Sequence, residues 1–178
     1  MKTKQISVID GIAIVPLSRG AVAIVDPIDA AMVGHWNWNF SPRDISGYAV
    51  RQHREYGLKP RLILMHRLIM RAVIGGKIDE GLEVDHVDGD GLNNRRSNLR
   101  VCTRSQNAMN RIRPITNRTG HKGVRLDKKL GKYVASIRVS GRYIHIGTFE
   151  LLDEACAAQE VAAERYHGDF AGFRGNVC

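Results

Sequence analysis

Cysteine is scarce in this 178-residue chain, which has only Cys102, Cys156 and Cys178 and no CxxC pair. An odd number of widely spaced thiols argues against a disulfide framework and against a Cys-rich structural zinc site. A reducing cytoplasm is therefore the expected compartment.

Long hydrophobic runs are also missing. No segment reaches the roughly 18 apolar residues that a membrane-spanning helix needs, and the N-terminal segment is polar and broken by Asp10 and Pro16, which argues against a signal peptide. We expect no membrane partner. Aromatic residues make up only 6% of the chain, so two compact modules are favoured over one large core.

Acidic residues are nearly absent from the middle of the chain. Between residues 91 and 149 there are 14 lysines and arginines and a single acid, Asp127, whereas residues 150–178 hold six acids and two arginines. The whole chain carries a net charge of +9. This segregation favours an electropositive face and a polyanionic partner, more often nucleic acid than an acidic membrane surface.

The first half of the chain predicts small strands, then a helix and another strand. Residues 5–26 alternate short β-branched runs with Gly and Pro, and "HWNWNF" and "GYAVRQH" continue the pattern. The run "RLILMHRLIMRAV" is apolar at near-helical spacing, and "LEVDH" reads as a strand. Thr103 opens a capping box before a helix over 103–113, with Pro114 just beyond its end.

The second half predicts a sheet covered by a helix. The segment "RPITNRTGHKG" has the composition of a linker. Three strand-like runs follow, "KGVRL", "KYVASIRV" and "RYIHIGTF", and then the amphipathic "LLDEACAAQEVAAERYHG". The simplest assembly is a three-stranded antiparallel sheet packed on one helix, so the predicted fold class is α+β.

Residues 84–107 concentrate the chemistry-bearing side chains. The strand "EVDH" presents Asp85 and His86 on opposite sides of the chain, and the Thr103-capped helix brings Asn107 toward it. Asp85 and Asn107 supply hard oxygen ligands suited to Mg²⁺, and His86 can take the proton from an attacking water. Nearby guanidinium groups can hold a phosphodiester: Arg95, Arg96, Arg100 and Arg104.

Two other interpretations of this stretch stay open from the residues alone. "DGDG" is similar to the start of a calcium loop, but the acids stand at the wrong offsets and the closing Glu is missing. Alternatively, the Asp and Asn residues only make turns and His86 is an ordinary half-buried residue. Asn93 and Asn94 are expected to shape the turn in either case.

"LMHRLIM", "VDHVDGDGLNNRRSNLRVCT" and "RSQNAMNR" together resemble the HNH endonucleases of phage and mobile introns, over about residues 64–113. The resemblance implies a ββα-metal fold in which Asp85 and Asn107 bind one divalent ion, Mg²⁺ or alternatively Mn²⁺, and His86 is the general base. It also implies that Asn98 braces the loop and helps to orient His86. His66 matches the family as well, and either packing or a phosphate contact would explain it.

Residues 121–173 resemble the Apetala/ethylene-response-factor DNA-binding domain through "GVR", "GK-x-x-A-x-IR" and "GTF" followed by an Ala-rich helix. Period-two alternation places Tyr133, Ala135, Ile137 and Val139 on the helix side of their strand and Val134, Ser136 and Arg138 on the other, with Ile144 and Ile146 inward on the next strand. The candidate DNA contacts of this module are Arg125, Lys132, Arg138, Arg142, Tyr143 and His145.

The sequence thus predicts four segments: a β-rich N-terminal region (1–62), an HNH nuclease core (63–113), a linker (114–120) and an Apetala-like domain (121–178). The expected activity is that of a homing-type endonuclease acting on double-stranded DNA, with no small-molecule substrate. A catalytically silent DNA-binding regulator is the main alternative. An RNA-directed protein is less favoured, because stacking aromatics are few.

Overall fold

The computed structural model describes residues 5–43, 47–110 and 118–172. In these ranges the chain forms four helices and four small antiparallel sheets, which confirms the α+β class. The chain divides into two compact units, Met1–Thr103 and Arg104–Cys178. The predicted domain limits stay predictions, and residues 111–117, which include the first part of the predicted linker, lie outside the described residues.

The first unit consists of short strands and two helices. In chain order they are β1 (Ser7–Ile9), β2 (Ile12–Pro16), β3 (Val22–Val25), α1 (Pro27–Gly34), β4 (Asn39–Pro42), β5 (Gly47–His53), β6 (Arg61–Leu64), α2 (Met65–Val73), β7 (Leu82–His86) and β8 (Leu99–Thr103). The sheets are β1-β2-β3, β4-β5-β6 and the β7-β8 hairpin. A two-stranded hairpin is marginal by itself, so β7-β8 depends on the packing around it.

One hydrophobic core joins the N-terminal strands to this hairpin. Trp38 lies in it and donates a hydrogen bond from Nε1 to the Val33 carbonyl at 2.9 Å. The buried apolar residues come from β2, β3, α2, β7 and β8 alike, among them Ala13, Val15, Val25, Met65, Ile69, Val84 and Leu99. Residues before position 62 therefore share a core with the segment that carries Asp85 and His86.

The helix predicted over "RLILMHRLIMRAV" begins later than expected. Residues Arg61–Leu64 form strand β6, which pairs with β5 through Arg51↔Ile63 and Val50↔Leu64, and α2 begins at Met65. Strand pairing overrides the local helical spacing here, as tertiary context often does. Helix α1 was not predicted, although Pro27 occupies its first turn, where proline is well tolerated.

The second unit contains α3 (Arg104–Asn110), β9 (Val124–Asp127), β10 (Lys132–Val139), β11 (Arg142–Phe149) and α4 (Leu152–His167). Strand β10 is central in the sheet, and α4 is followed by its C-cap residue Gly168, whose φ is 53°. These strands and α4 confirm the sequence prediction. Helix α3 begins at Arg104 rather than Thr103, because Thr103 completes strand β8.

The predicted faces of this sheet are only partly correct. Tyr133, Ala135 and Ile146 pack in the core with α4, but Val134 is also buried and Ile144 is 36% exposed. The register shifts between Ala135 and Ser136. The extra residue is Ile146, between the partners of Ala135 and Ser136, so the bulge interrupts the period-two alternation of β11. It does not account for the burial of Val134 on β10.

Two of the three cysteines, Cys102 and Cys156, lie in the described ranges. Cys102 is buried, and Cys156 is disulfide-bonded. One bonded cysteine is not a disulfide framework, so the expectation against such a framework stays a prediction. No helix within the described ranges is long and apolar enough to cross a membrane.

Candidate functional site

The β7-β8 hairpin places Asp85 opposite Arg100 and His86 opposite Leu99. The Oδ2 atom of Asp85 accepts hydrogen bonds from Nε and Nη2 of Arg100 at 3.0 and 2.7 Å. Asp85 is only 6% exposed. Arg100, one of the predicted phosphate contacts, therefore holds the Asp85 carboxylate in a fixed orientation.

Asn94 makes the hydrogen bond that orients the ring of His86. Its Oδ1 lies 3.3 Å from Nε2 of His86, and its Nδ2 donates to the Leu92 carbonyl at 3.0 Å. A carbonyl only accepts, so this second bond fixes which end of the Asn94 amide faces the imidazole. Nε2 of His86 then carries the proton, and in the neutral ring Nδ1 is the basic nitrogen.

The electrostatics keep His86 neutral. Burial lowers its pKa below the ordinary 6.5, while the hydrogen bond that His86 donates to Asn94 and the charges of Asp88, Asp85 and Asp90 act in the opposite direction. Desolvation is the larger effect, because a charged imidazole loses its hydration in the interior. At pH 7 the ring is in the form that can accept a proton.

His66 and Tyr48 form an aromatic wall against His86. The ring of His66 meets that of His86 edge-on, with centroids 4.8 Å apart, and Tyr48 lies 5.4 Å from His66 and 5.9 Å from His86. Burial, with smaller contributions from His86 and Arg67, lowers the pKa of His66 to about 3. His66 Nδ1 is buried and has no hydrogen-bond partner among the described residues.

Asn98 braces the loop between the two strands. Its Oδ1 accepts from the Asp88 amide at 2.9 Å, and its Nδ2 donates to Asp88 Oδ1 at 2.8 Å and to the Asn93 carbonyl at 2.7 Å. Asn98 thus closes the loop beneath the end of β7. The side chain that accepts a hydrogen bond from the His86 ring is that of Asn94.

The acids of "DGDG" act as turn formers. Asp88 accepts from the Asp90 amide at 2.8 Å and from Asn93 Nδ2 at 2.6 Å, and Asp90 accepts from the Leu92 amide at 3.0 Å. These are the local side-chain to backbone bonds that Asp makes in turns. Their carboxylates shape the loop, as the turn interpretation of this stretch expected.

Strand β3 and helix α1 anchor this loop. Ile24 exchanges backbone hydrogen bonds with Leu92 and Asn94, at 2.9 and 2.8 Å. Asp26 accepts from the Arg96 amide at 2.7 Å, and Asp29, 2% exposed, accepts from Nε and Nη2 of Arg96 at 2.8 and 2.7 Å. The hydrogen bond to Asp29 raises the pKa of Arg96.

Several residues that hold this loop in place have no recognisable signal in the sequence. Asp26 and Asp29 were not singled out, and Asn94 was expected only to shape a turn. The Asp29–Arg96 pair spans 67 residues, so no local pattern signals it. Arg96 is committed to Asp29, and Arg95 Nε donates to Asn93 Oδ1 at 3.2 Å.

The predicted metal ligands are both hard oxygen donors. Asp85 is the carboxylate at the end of β7, and Asn107 is a half-buried amide in α3 of the second unit. Such oxygens suit Mg²⁺. No group of three or more His, Cys, Asp or Glu residues that could hold a metal lies in the described ranges, but the predicted pair needs only one carboxylate and one amide, so the donor chemistry fits.

The second unit presents cations on its sheet. Arg125 Nη1 lies 3.6 Å from Asp127 Oδ2, and Lys132 Nζ lies 2.6 Å from Glu150 Oε1. The guanidinium of Arg138 stands 5.5 Å from the ring of Tyr143, which is 76% exposed. The remaining predicted DNA contacts are also exposed: Arg104, Arg142 and His145.

Known proteins match the segment of the chain that contains Asp85 and His86. A family model described as HNH endonuclease matches residues 64–109. The chain is 31% identical to "Uncharacterized HNH endonuclease L560" of Acanthamoeba polyphaga mimivirus, over 86% of this chain and 74% of that protein. It is 30% identical to "Protein 3.8" of Escherichia phage T7, over 56% of this chain and 81% of that protein. No solved structure is significantly similar to the chain. The chain belongs to the HNH endonuclease family.

Proposed function

We propose that this protein is a metal-dependent, homing-type endonuclease that hydrolyses phosphodiester bonds of double-stranded DNA with His86 as the general base. The family implies a nuclease with DNA as its substrate and a divalent metal as its cofactor. The observation that carries the assignment of the base is the Asn94–His86 hydrogen bond, because it leaves Nδ1 as the basic nitrogen of a neutral ring. His86 would take a proton from the attacking water at that atom.

The neighbours of His86 support this role. His66 and Tyr48 flank the imidazole, and a site shielded from water strengthens the interactions inside it. Asn98 holds the loop through Asp88, so the end of β7 keeps one conformation. His66, Tyr48 and Asn98 would therefore hold His86 in position, and His86 itself would accept the proton.

Asp85 and Asn107 are the residues that would hold the divalent ion, most simply Mg²⁺, with Mn²⁺ as a substitute. A bound divalent ion supplies electrostatic stabilisation of the negative charge on the phosphate and the leaving oxygen. Arg100 orients the carboxylate of Asp85 through two hydrogen bonds. Such outer hydrogen bonds are a common way to fix a ligand.

The second unit would bind the DNA that the first unit cuts. Its exposed Arg125, Arg138, Arg142 and Tyr143 lie on a three-stranded sheet, the arrangement that the Apetala-like resemblance implies for a DNA-binding face. Cations contact phosphates without reading sequence, whereas base-edge contacts specify it. Lys132, which is paired with Glu150, and His145 complete this proposed face. Arg95 in the first unit and Arg104 in α3 are separate proposed DNA contacts.

One observation favours the silent DNA-binding regulator as a second candidate. The Asp85 carboxylate already has a strong internal partner, because Arg100 Nη2 lies 2.7 Å from Oδ2 and the Asp85 side chain is 7% exposed. An arginine that neutralises a metal ligand could replace the ion. In that case the protein would bind DNA and leave it intact.

The test is conversion of supercoiled plasmid in Mg²⁺, Mn²⁺ or EDTA, comparing the intact protein with Asn107→Ala. Ser105→Ala is the matched control, because it removes an exposed side chain from the same helix. The proposal expects open circular or linear product with either metal, none in EDTA, loss in Asn107→Ala and retention in Ser105→Ala. Bound but uncut plasmid under every condition would support the regulator.

A further inference from the structure

Arg51 is a half-buried cation without a counter-ion in the described part of the chain. Its guanidinium lies 4.1 Å above the ring of Trp36 and 5.9 Å from that of Trp38. Its Nε is buried and has no hydrogen-bond partner there. Burial lowers its pKa. A cation that loses hydration is normally compensated by an acid, and for Arg51 a bound anion would supply that compensation.

The surroundings of Arg51 have the same sign of charge. It lines an open groove of about 750 Å³ made by β5, β6 and α2, together with His53, Arg61, Arg71 and Lys77. None of the lining residues is acidic, and Leu62 and other apolar side chains form part of the surface. Four permanent cations around one groove repel each other until an anion binds.

The sequence around the groove is correspondingly basic. Residues 51–77 contain seven lysines and arginines and a single acid, Glu55. This segment is separate from the basic stretch of residues 91–149. The first unit therefore has a basic surface that is not part of the sheet in the second unit.

We propose that this groove binds the phosphodiester backbone of duplex DNA. Arginine forks match phosphate oxygens in bidentate geometry, and several cations along one groove suit a ligand with a repeating charge better than a single small anion. Stacking on Trp36 holds the Arg51 guanidinium in place before the ligand arrives. The groove would hold the DNA by its backbone, and in that sense the inference rests on the proposed function.

The experiment measures fluorescence anisotropy of a labelled 30-base-pair duplex with the full chain in EDTA, across a salt titration. The variants are Arg51→Gln and the double variant Arg61→Ala/Arg71→Ala, whose two residues are exposed and so leave the core intact. We expect the double variant to bind about tenfold more weakly and the slope of log Kd against log salt to fall by about 2, since each lost phosphate contact contributes about 0.9.

Arg43→Ala is the matched control, an exposed cation just after β4, whose Pro42 pairs with Gly47 at the other end of β5. It should change the slope by less than half as much as the double variant. Unchanged affinity and slope in both groove variants would overturn the inference, as would a groove that binds inorganic phosphate as tightly as duplex DNA. Binding is read without metal or cleavage, so a dead nuclease would sink the proposed function and leave this result standing.

Discussion

Asn94 and His86 are joined by a hydrogen bond in the interior of the first unit, with Asn94 Oδ1 3.3 Å from His86 Nε2. Asn94 is fully buried and His86 is 5% exposed. The side-chain amide of Asn94 donates to the Leu92 carbonyl, and its backbone N–H donates to the Ile24 carbonyl. Asn94 therefore connects strand β3, which bonds to its backbone, with His86, which bonds to its side chain.

Replacing Asn94 should change the tautomer of His86. In Asn94→Leu the acceptor for Nε2–H is gone, so ¹⁵N NMR should show a mixture of tautomers where the intact protein shows Nε2–H alone. We expect cleavage to slow by roughly tenfold to a hundredfold, a part of the 10²–10⁴ that a general base supplies.

Asn93→Ala provides the control for this change. It removes the neighbouring amide, which bonds to Asp88 and Arg95, and should leave the His86 tautomer as it is. If both variants altered the ¹⁵N spectrum equally, Asn94 would be a general support of the loop rather than the residue that orients His86.

Removing Asp29 should loosen the loop and destabilise the protein. Asp29→Ala breaks two charge-assisted hydrogen bonds to Arg96, and the free energy of unfolding should fall by about 2 kcal/mol, since Arg96 is exposed enough to be rehydrated. Urea denaturation measures the loss. Glu55→Ala, an exposed acid on the β5–β6 connection, should stay within about 0.5 kcal/mol, and an equally small effect for Asp29→Ala would contradict the anchoring role.

The protein should lose stability as the pH falls below about 6.5, the ordinary value for histidine. The pKa of His66 is about 3 in the folded protein, so between these values the unfolded state binds more protons. The free energy of unfolding should then fall by up to about 1.4 kcal/mol per pH unit from this group. His66→Phe should flatten this slope in urea titrations between pH 4 and 7, and an unchanged slope would show that His66 is not responsible.

Gly91→Ala should be poorly tolerated. A Cβ at Gly91 would lie 2.3 Å from the Gly47 carbonyl oxygen and 2.7 Å from the Tyr48 ring. Overpacking of this kind costs about 1–3 kcal/mol, and it would displace Tyr48 from His86. Gly76→Ala is the control, since nothing lies within 4 Å of its Cβ. Equal melting temperatures for the two variants would contradict the packing described for Tyr48.

The sequence predicted the elements that depend on local pattern. Strands β7, β9, β10 and β11 and helix α4 were expected where the structure has them, because alternation and a glycine stop are local signals. The start of α2 was misjudged because β5 pairs with residues 61–64. The bulge in the β10–β11 pairing was not expected, because it depends on how the two strands pair and not on their own alternation.

The candidate site was predictable only in part. Asp85, His86, Asn98 and Asn107 stood out by their order and spacing. The contacts that set the state of His86 depend on pairs distant in the chain, such as Ile24 with Asn94. Arg51 has no distinguishing signal in the sequence, since its lack of an acidic partner among the described residues appears only once the chain is folded.

The most direct test of the account is single-turnover cleavage of plasmid DNA in Mg²⁺ by the intact protein and by His86→Ala. The account predicts that the rate falls by about 10²–10⁴, the contribution of a positioned general base, while DNA binding in EDTA is unchanged. A His86→Ala protein that cleaves at the full rate would contradict it.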